Sequence, residues 1–344
     1  MRIKEFDVAR GFTVLIMPGV HVILMYGNTI TQAAWPGKLF GFLAEGPGAP
    51  LFMFLMGVSF GFSTRVSRKA VIKRSLQLAV LGYLLNFFKF TCLQAFHLLP
   101  QRFMDDYGIN KGSDGVLTLL TTGDILQFAA IALLIIQLIS TLPRPFLMAL
   151  ICVGCVIAIS PLHTGMRAHY LTDLFTAEHG LIFFPVFPWL AYPLCGYCMI
   201  YLLRRGNAFT ICRNTGVLLL AFSLFLSVYC HISITSDFYR SQPAATLYHI
   251  AVVLLWLYAC HMAVRYAPAT RVCTLLYWLS RNILPLYCIQ WVLVCWLLPI
   301  AGYKASSISR TLIWIVFITS LTSCILLCFQ YLKQYYHARN HRTR

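Results

Sequence analysis

The chain has 344 residues, of which 59% are hydrophobic and 11% charged, and its formal net charge is +17. Soluble globular domains carry roughly 25% charged residues, so these few charges cannot cover a water-facing surface and a soluble protein is excluded. The composition implies an all-α fold, a polytopic helical bundle in a membrane, with one domain over residues 1–344 that ends in a basic tail at 333–344.

Apolar runs bounded by charges predict ten membrane helices of ~20 residues. In chain order they cover 8–27, 39–63, 70–91, 122–141, 145–162, 181–203, 215–235, 247–266, 281–300 and 311–332. The first follows MRIKEFDVARGF with no small-residue cleavage site, so it is expected to stay as its own anchor rather than be removed. The longest connection joins the third and fourth spans. Most of the 13 cysteines lie inside apolar runs, including the C-x-x-C pairs Cys152/Cys155 and Cys195/Cys198. Without the polar context of a zinc or redox motif, they read as small packing residues and no metal is expected.

Counting lysine and arginine sets the orientation. With the N-terminus in the cytoplasm, 19 of the 27 fall on the inner segments, among them Arg10, Arg65, Arg68, Arg74 and Arg281. Eight fall outside, including Lys38, Lys89, Arg102, Arg167 and Lys304, alongside acidic residues such as Asp106 and Glu178. Both termini are then cytoplasmic. The net charge is mainly topogenic, draws anionic membrane lipids to the inner face and calls for no nucleic acid.

Ionisable residues within spans are costly and mark function by default. His21 lies in the first span, Glu45 in the second and Asp124 at the start of the fourth. Helical rise puts His21 roughly 16 Å above the inner boundary and Glu45 roughly 10 Å below the outer one. Arg10 and His21, eleven residues apart, share a helix face, and Asp7 is placed to pair with Arg10. Plainer roles stand beside these: His21 as an interhelical hydrogen-bond partner, Asp124 as a helix cap after TTG. Glu45, between LFGFLA and GPGAP, needs a partner or a proton.

Five segments carry a resemblance: FDVARGFTVLIMPGVH, GAPLFMFLMGVSFGFS, GDILQFAAIALLI, FFPVFPWLAYPLCGY and LSRNILPLYCIQWVL. In this order, over nearly the whole chain, they resemble the heparan-α-glucosaminide N-acetyltransferase-like proteins and their bacterial relatives; the broader acyltransferase-3 group shares the arginine–histidine spacing. Two positions depart from the pattern. Gln290 stands where many relatives carry histidine, and TQAAWPG lacks a histidine that the animal enzyme places there.

The resemblance implies transfer of an acyl group, acetyl by analogy, from cytoplasmic acyl-CoA to a hydroxyl or amine of a glycan or lipid-linked sugar at the outer face. His21 would be the general base on the acceptor or take the acyl group transiently, with Glu45 or Asp124 fixing its tautomer. Arg10 and Arg281, with Arg65, Arg68 and Arg74 nearby, would hold the CoA phosphates. Asn282, Tyr287 and Gln290 would polarise the thioester or line the pantetheine path. Compact loops lean towards a bacterial inner membrane; oligomeric state is not legible. The rival reading is a transporter or flippase without covalent chemistry, since intramembrane charge occurs equally there.

Overall fold

The computed structural model describes residues 3–342 apart from 64–66, 161–169, 178–180, 205, 235–236 and 267–270. Arg65, Arg167 and Glu178 lie outside the described residues. Helix α1 (Lys4–Tyr26) carries Glu5 and Asp7 in its first turn, where acidic groups suit the helix dipole, and runs on through Pro18. After a short α2 (Thr29–Ala33), the second span is broken in two, α3 (Trp35–Glu45) and α4 (Ala49–Phe62). Gly46-Pro47-Gly48 interrupts it. In a membrane an orphan carbonyl must find a partner inside the protein, and the Thr13 hydroxyl of α1 donates to Pro47 O at 2.7 Å.

The third span is α5 (Arg68–Asn86), a π-helical turn at Phe87–Thr91 and α6 (Cys92–Ala95). It is one 28-residue apolar segment, four residues longer than the predicted 70–91 at its far end. Lys89 is therefore not an outer boundary charge. It is 2% exposed in the interior, and this corrects its place in the charge count. Two short helices, α7 (Gln101–Asp106) and α8 (Ser113–Leu120), occupy the long connection. Then come α9 (Ile125–Ser140), α10 (Pro145–Ile159) and α11 (Tyr170–Thr176), followed by α12 (Val186–Trp189), which continues into α13 (Ala191–Leu203). The chain continues with α14 (Ala208–Tyr229) and α15 (Pro243–Tyr266). Helix α14 starts before Arg213, inside what was read as a charged connection.

Near the C-terminus, α16 (Arg271–Arg281) meets α17 (Ile283–Trp296) at 81°. The predicted span 281–300 is thus α17 and α18 (Leu298–Ala301), and α16 is a separate amphipathic helix lying across the basic end of α1. Helix α19 (Ile308–Arg342) closes the bundle. Among the described residues, seven segments are long and apolar enough to cross a membrane, an eighth is counted if the bent α16–α17 pair is taken as one span, and α9 and α10 are shorter apolar helices. The ten predicted spans fall on these ten. This is an all-α, multi-pass membrane protein.

Small residues let its helices approach, as packing in lipid requires. A Cβ on Gly57 of α4 would strike the Pro193 carbonyl, and one on Gly196 of α13 would strike Phe54 O, so the two helices interlock reciprocally. Gly11 likewise admits the Leu276 carbonyl of α16. Helices α14 and α19 present exposed apolar faces with Leu218, Phe222, Ile313 and Val316, suited to lipid.

Candidate active site

Helix α17 meets α1 at His21. Tyr287, Gln290 and Trp291 are spaced i, i+3, i+4 and so share one face. Gln290 Nε2 lies 2.6 Å from His21 Nδ1, the indole of Trp291 stacks on the imidazole at 3.9 Å between centroids and 26° between planes, and Tyr287 stands edge-on at 6.3 Å. Gln290 is buried, and its Oε1 has no partner among the described residues. The Tyr26 hydroxyl donates to Val294 O at 2.7 Å and pins the same seam further along.

Asp124 serves two purposes. As the N-cap of α9 it accepts from Ile125 N at 2.7 Å, and Gln127 Oε1 accepts from Asp124 N in return, which completes a capping box. Its other oxygen meets Lys89 Nζ at 2.8 Å, with side-chain exposures of 2% for the lysine and 8% for the aspartate. The Lys89 ammonium also lies 4.6 Å from the ring centroids of both Trp291 and Phe90. Sequence reasoning missed Lys89 because it counted a lysine near the end of the span 70–91 as an outer boundary charge. The signal was present: the apolar run FFKFTCLQAF continues past the lysine.

Beside these groups runs one cavity of about 380 Å³. It follows α1 from Thr13 to Met25, about 18 Å along the helix axis. His21, Glu45, Lys89, Asp124, Tyr287 and Trp291 all border it. At the end nearest the long connection its wall is aromatic, with Phe103, Tyr107, Phe183, Phe184, Phe238 and Tyr239. Glu45 sits where α3 breaks, is exposed, and has no hydrogen-bond or ion-pair partner among the described residues.

The structure thus brings His21, Glu45, Asp124 and Tyr287 to one cavity. It does not join a carboxylate to the His21 ring: Gln290, rather than Glu45 or Asp124, takes Nδ1. Arg10, Arg281, Asn282 and Gln290 do not line the cavity. Arg10 is one turn from Thr13 and donates to Ser59 Oγ at 3.0 Å beside Asp7. Asn282 caps the α16–α17 bend, donating to Trp278 O and accepting from Gln330, each at 2.8 Å. Gln32, in the TQAAWPG loop, donates to Ile23 O and Gly27 O at the end of α1. Among the described residues no group of three His, Cys, Asp or Glu side chains is arranged to hold a metal.

Outside the spans, Lys304 Nζ meets Asp106 Oδ2 at 2.8 Å and ties α7 to the loop before α19. Its hydrogen bond and charge hold the Asp106 carboxyl below the usual carboxylate range.

Residues 2–228 match the family model described as heparan-alpha-glucosaminide N-acetyltransferase, catalytic. The matched stretch contains His21, Glu45, Lys89 and Asp124 and stops before α17. No curated protein matches the chain.

Proposed function

The chain belongs to the heparan-alpha-glucosaminide N-acetyltransferase catalytic family, and on that premise we propose that it transfers an acetyl group from acetyl-CoA, taken up at the Arg10 end, to a hydroxyl or amine of a glycan or lipid-linked sugar that enters from the aromatic end. In a bacterial inner membrane with both termini inside, these ends face the cytoplasm and the exterior. One observation carries this reading. A histidine held at Nδ1 borders a cavity that runs most of the length of α1, beginning one turn from a guanidinium.

His21 is the base. With its amide turned end for end, which the near-symmetric group allows, Gln290 accepts from Nδ1–H through Oε1 in place of the Nε2 that faces the ring in the structure. The lone pair on His21 Nε2 then takes the proton from the acceptor O–H or N–H as that atom attacks the thioester carbonyl carbon. The C–S bond breaks, and the thiolate of CoA leaves with the proton from the imidazolium. Gln290 thus takes the place of the triad carboxylate: it fixes the tautomer but offers no charge. Glu45 borders the same cavity as a second carboxylate and makes no hydrogen bond to the ring among the described residues. Aromatic rings such as Phe183 and Tyr239 form flat apolar walls for a sugar ring. Arg10 and Arg281, with Arg68 and Arg74, suit the phosphates of CoA, because guanidinium binds phosphate oxygens bidentately.

The test is CoA release from acetyl-CoA by the purified protein, offered a panel of amino and hydroxyl glycosides. His21→Ala is expected to lose about 1,000-fold in kcat, within the range of general-base removal. A fully active His21→Ala variant removes the proposed base.

A further inference from the structure

The mechanism above leaves Lys89 and Asp124 without a role, yet their arrangement is costly. Burying an ammonium and a carboxylate costs several kcal/mol per ion before the pair repays it, and an apolar pair of similar size is often as stable. The lysine also sits in the middle of a π-helical turn, which inserts one extra residue into the ladder and is found frequently at functional sites. Cys92 N bonds back to Phe87 O in the wide pattern, and the Phe88 carbonyl is taken up by the Trp296 indole at 2.9 Å.

The pair is not needed to hold its two helices together. Ser75 Oγ donates to Ala130 O at 2.7 Å, and Asn86 Nδ2 donates to Thr122 O at 2.6 Å and to Leu120 O at 3.0 Å. These bonds already tie the α5 segment to α9 and the turn before it. The ammonium is directed elsewhere, over the Trp291 ring on which His21 is stacked. A cation is drawn to the electron-rich face of an indole, so it resists tilting of that plane, and the plane in turn fixes the imidazole resting against it.

We infer that Lys89 is a positioning residue of the acyl-transfer site: Asp124 anchors it, and through the Trp291 indole it sets the plane of the His21 ring. The inference rests on the acyltransferase reading of the cavity. It assigns the π turn a purpose, which is to swing one residue of the third span inward, beneath α17.

The test is a mutant cycle on the full chain in lipid nanodiscs. Lys89→Met alone strands a buried carboxylate, so it is combined with Asp124→Asn, which keeps the cap. A displaced ring of this kind costs about 100-fold in kcat, with KM for acetyl-CoA unchanged, and Lys89→Arg should restore most of the rate. In a Trp291→Leu background the Lys89→Met/Asp124→Asn pair should cost nothing further, because the path through the indole is already cut. Additive losses in that background, or a double variant with wild-type kcat and only a lower melting temperature, overturn the inference and leave the pair structural. A second readout needs no turnover: the rate at which diethyl pyrocarbonate modifies His21, followed by peptide mass spectrometry. It should change severalfold in the double variant while His261 stays constant; an unchanged His21 rate also overturns the inference. If no chain releases CoA with any acceptor, the acyltransferase reading fails, and the modification arm still decides the coupling.

Discussion

Two lysine–aspartate pairs in this molecule have the same length and opposite surroundings. Lys89–Asp124 and Lys304–Asp106 both measure 2.8 Å, but the first has side-chain exposures of 2% and 8% and the second 28% and 37%. Coulomb energy at one distance varies more than tenfold between protein interior and water, so distance alone ranks the two pairs equally and burial separates them. The outer pair is a surface contact of small worth. The inner pair is held in place by the bundle and cannot lose one partner cheaply. Its neighbours sharpen the contrast: around Lys89 stand aromatic faces, a cap and the histidine seam, whereas Lys304 is half-buried beside the Tyr303 ring.

The largest expected effect comes from breaking the inner pair. Lys89→Met should cost about 3–5 kcal/mol of stability, the usual penalty for leaving a buried charge uncompensated, and Lys89→Met/Asp124→Asn should regain most of it. Exchanging the charges separates the pairs further. Lys304→Asp/Asp106→Lys should melt as the wild type does, since water forgives the geometry. Lys89→Asp/Asp124→Lys should not, because a lysine cannot cap α9 and an aspartate is too short to reach from the π turn. Equal melting of the two exchanged variants would erase the comparison.

The smallest effect belongs to pH at the outer pair. Asp106 is held below the ordinary carboxylate range by its hydrogen bond to Lys304. A carboxyl depressed on folding contributes stability above its unfolded value of about 3.9, and that contribution is lost as pH falls through the lower folded value. The protection of α7 amides against exchange, taken relative to the intrinsic rate at each pH, should therefore fall only below about pH 4, and Lys304→Met should remove that step. Protection that already falls near pH 6 would point to another group.

Much of the fold was legible because lipid imposes a simple rule. Apolar runs become helices, and the ten runs did. The histidine eleven residues after Arg10, and the carboxylate before GPGAP, were visible for the same reason: a polar atom in such a run stands out. What escaped was tertiary. Gln290 and His21 are 269 positions apart, and no local pattern reports that one will hold the other. Lys89 was hidden by charge counting, which treats a lysine near the end of a span as belonging to the water outside, although the apolar run continues beyond it. Asp124 was read as either a cap or a functional group, and it is a cap that also holds Lys89. The amphipathic α16 was lost because its arginines looked like a connection; only the folded chain shows it lying across the basic end of α1.

The central claim is that the α1 cavity is where donor and acceptor meet, and one density map tests it most directly. The protein would be imaged in nanodiscs with a thioether analogue of acetyl-CoA that cannot transfer its acyl group. The account predicts nucleotide phosphates beside Arg10, the pantetheine arm passing Thr13, and the acetyl carbon next to His21. Phosphates bound at the aromatic end by Phe183 and Tyr239, or a cavity left empty at saturating analogue, would contradict it.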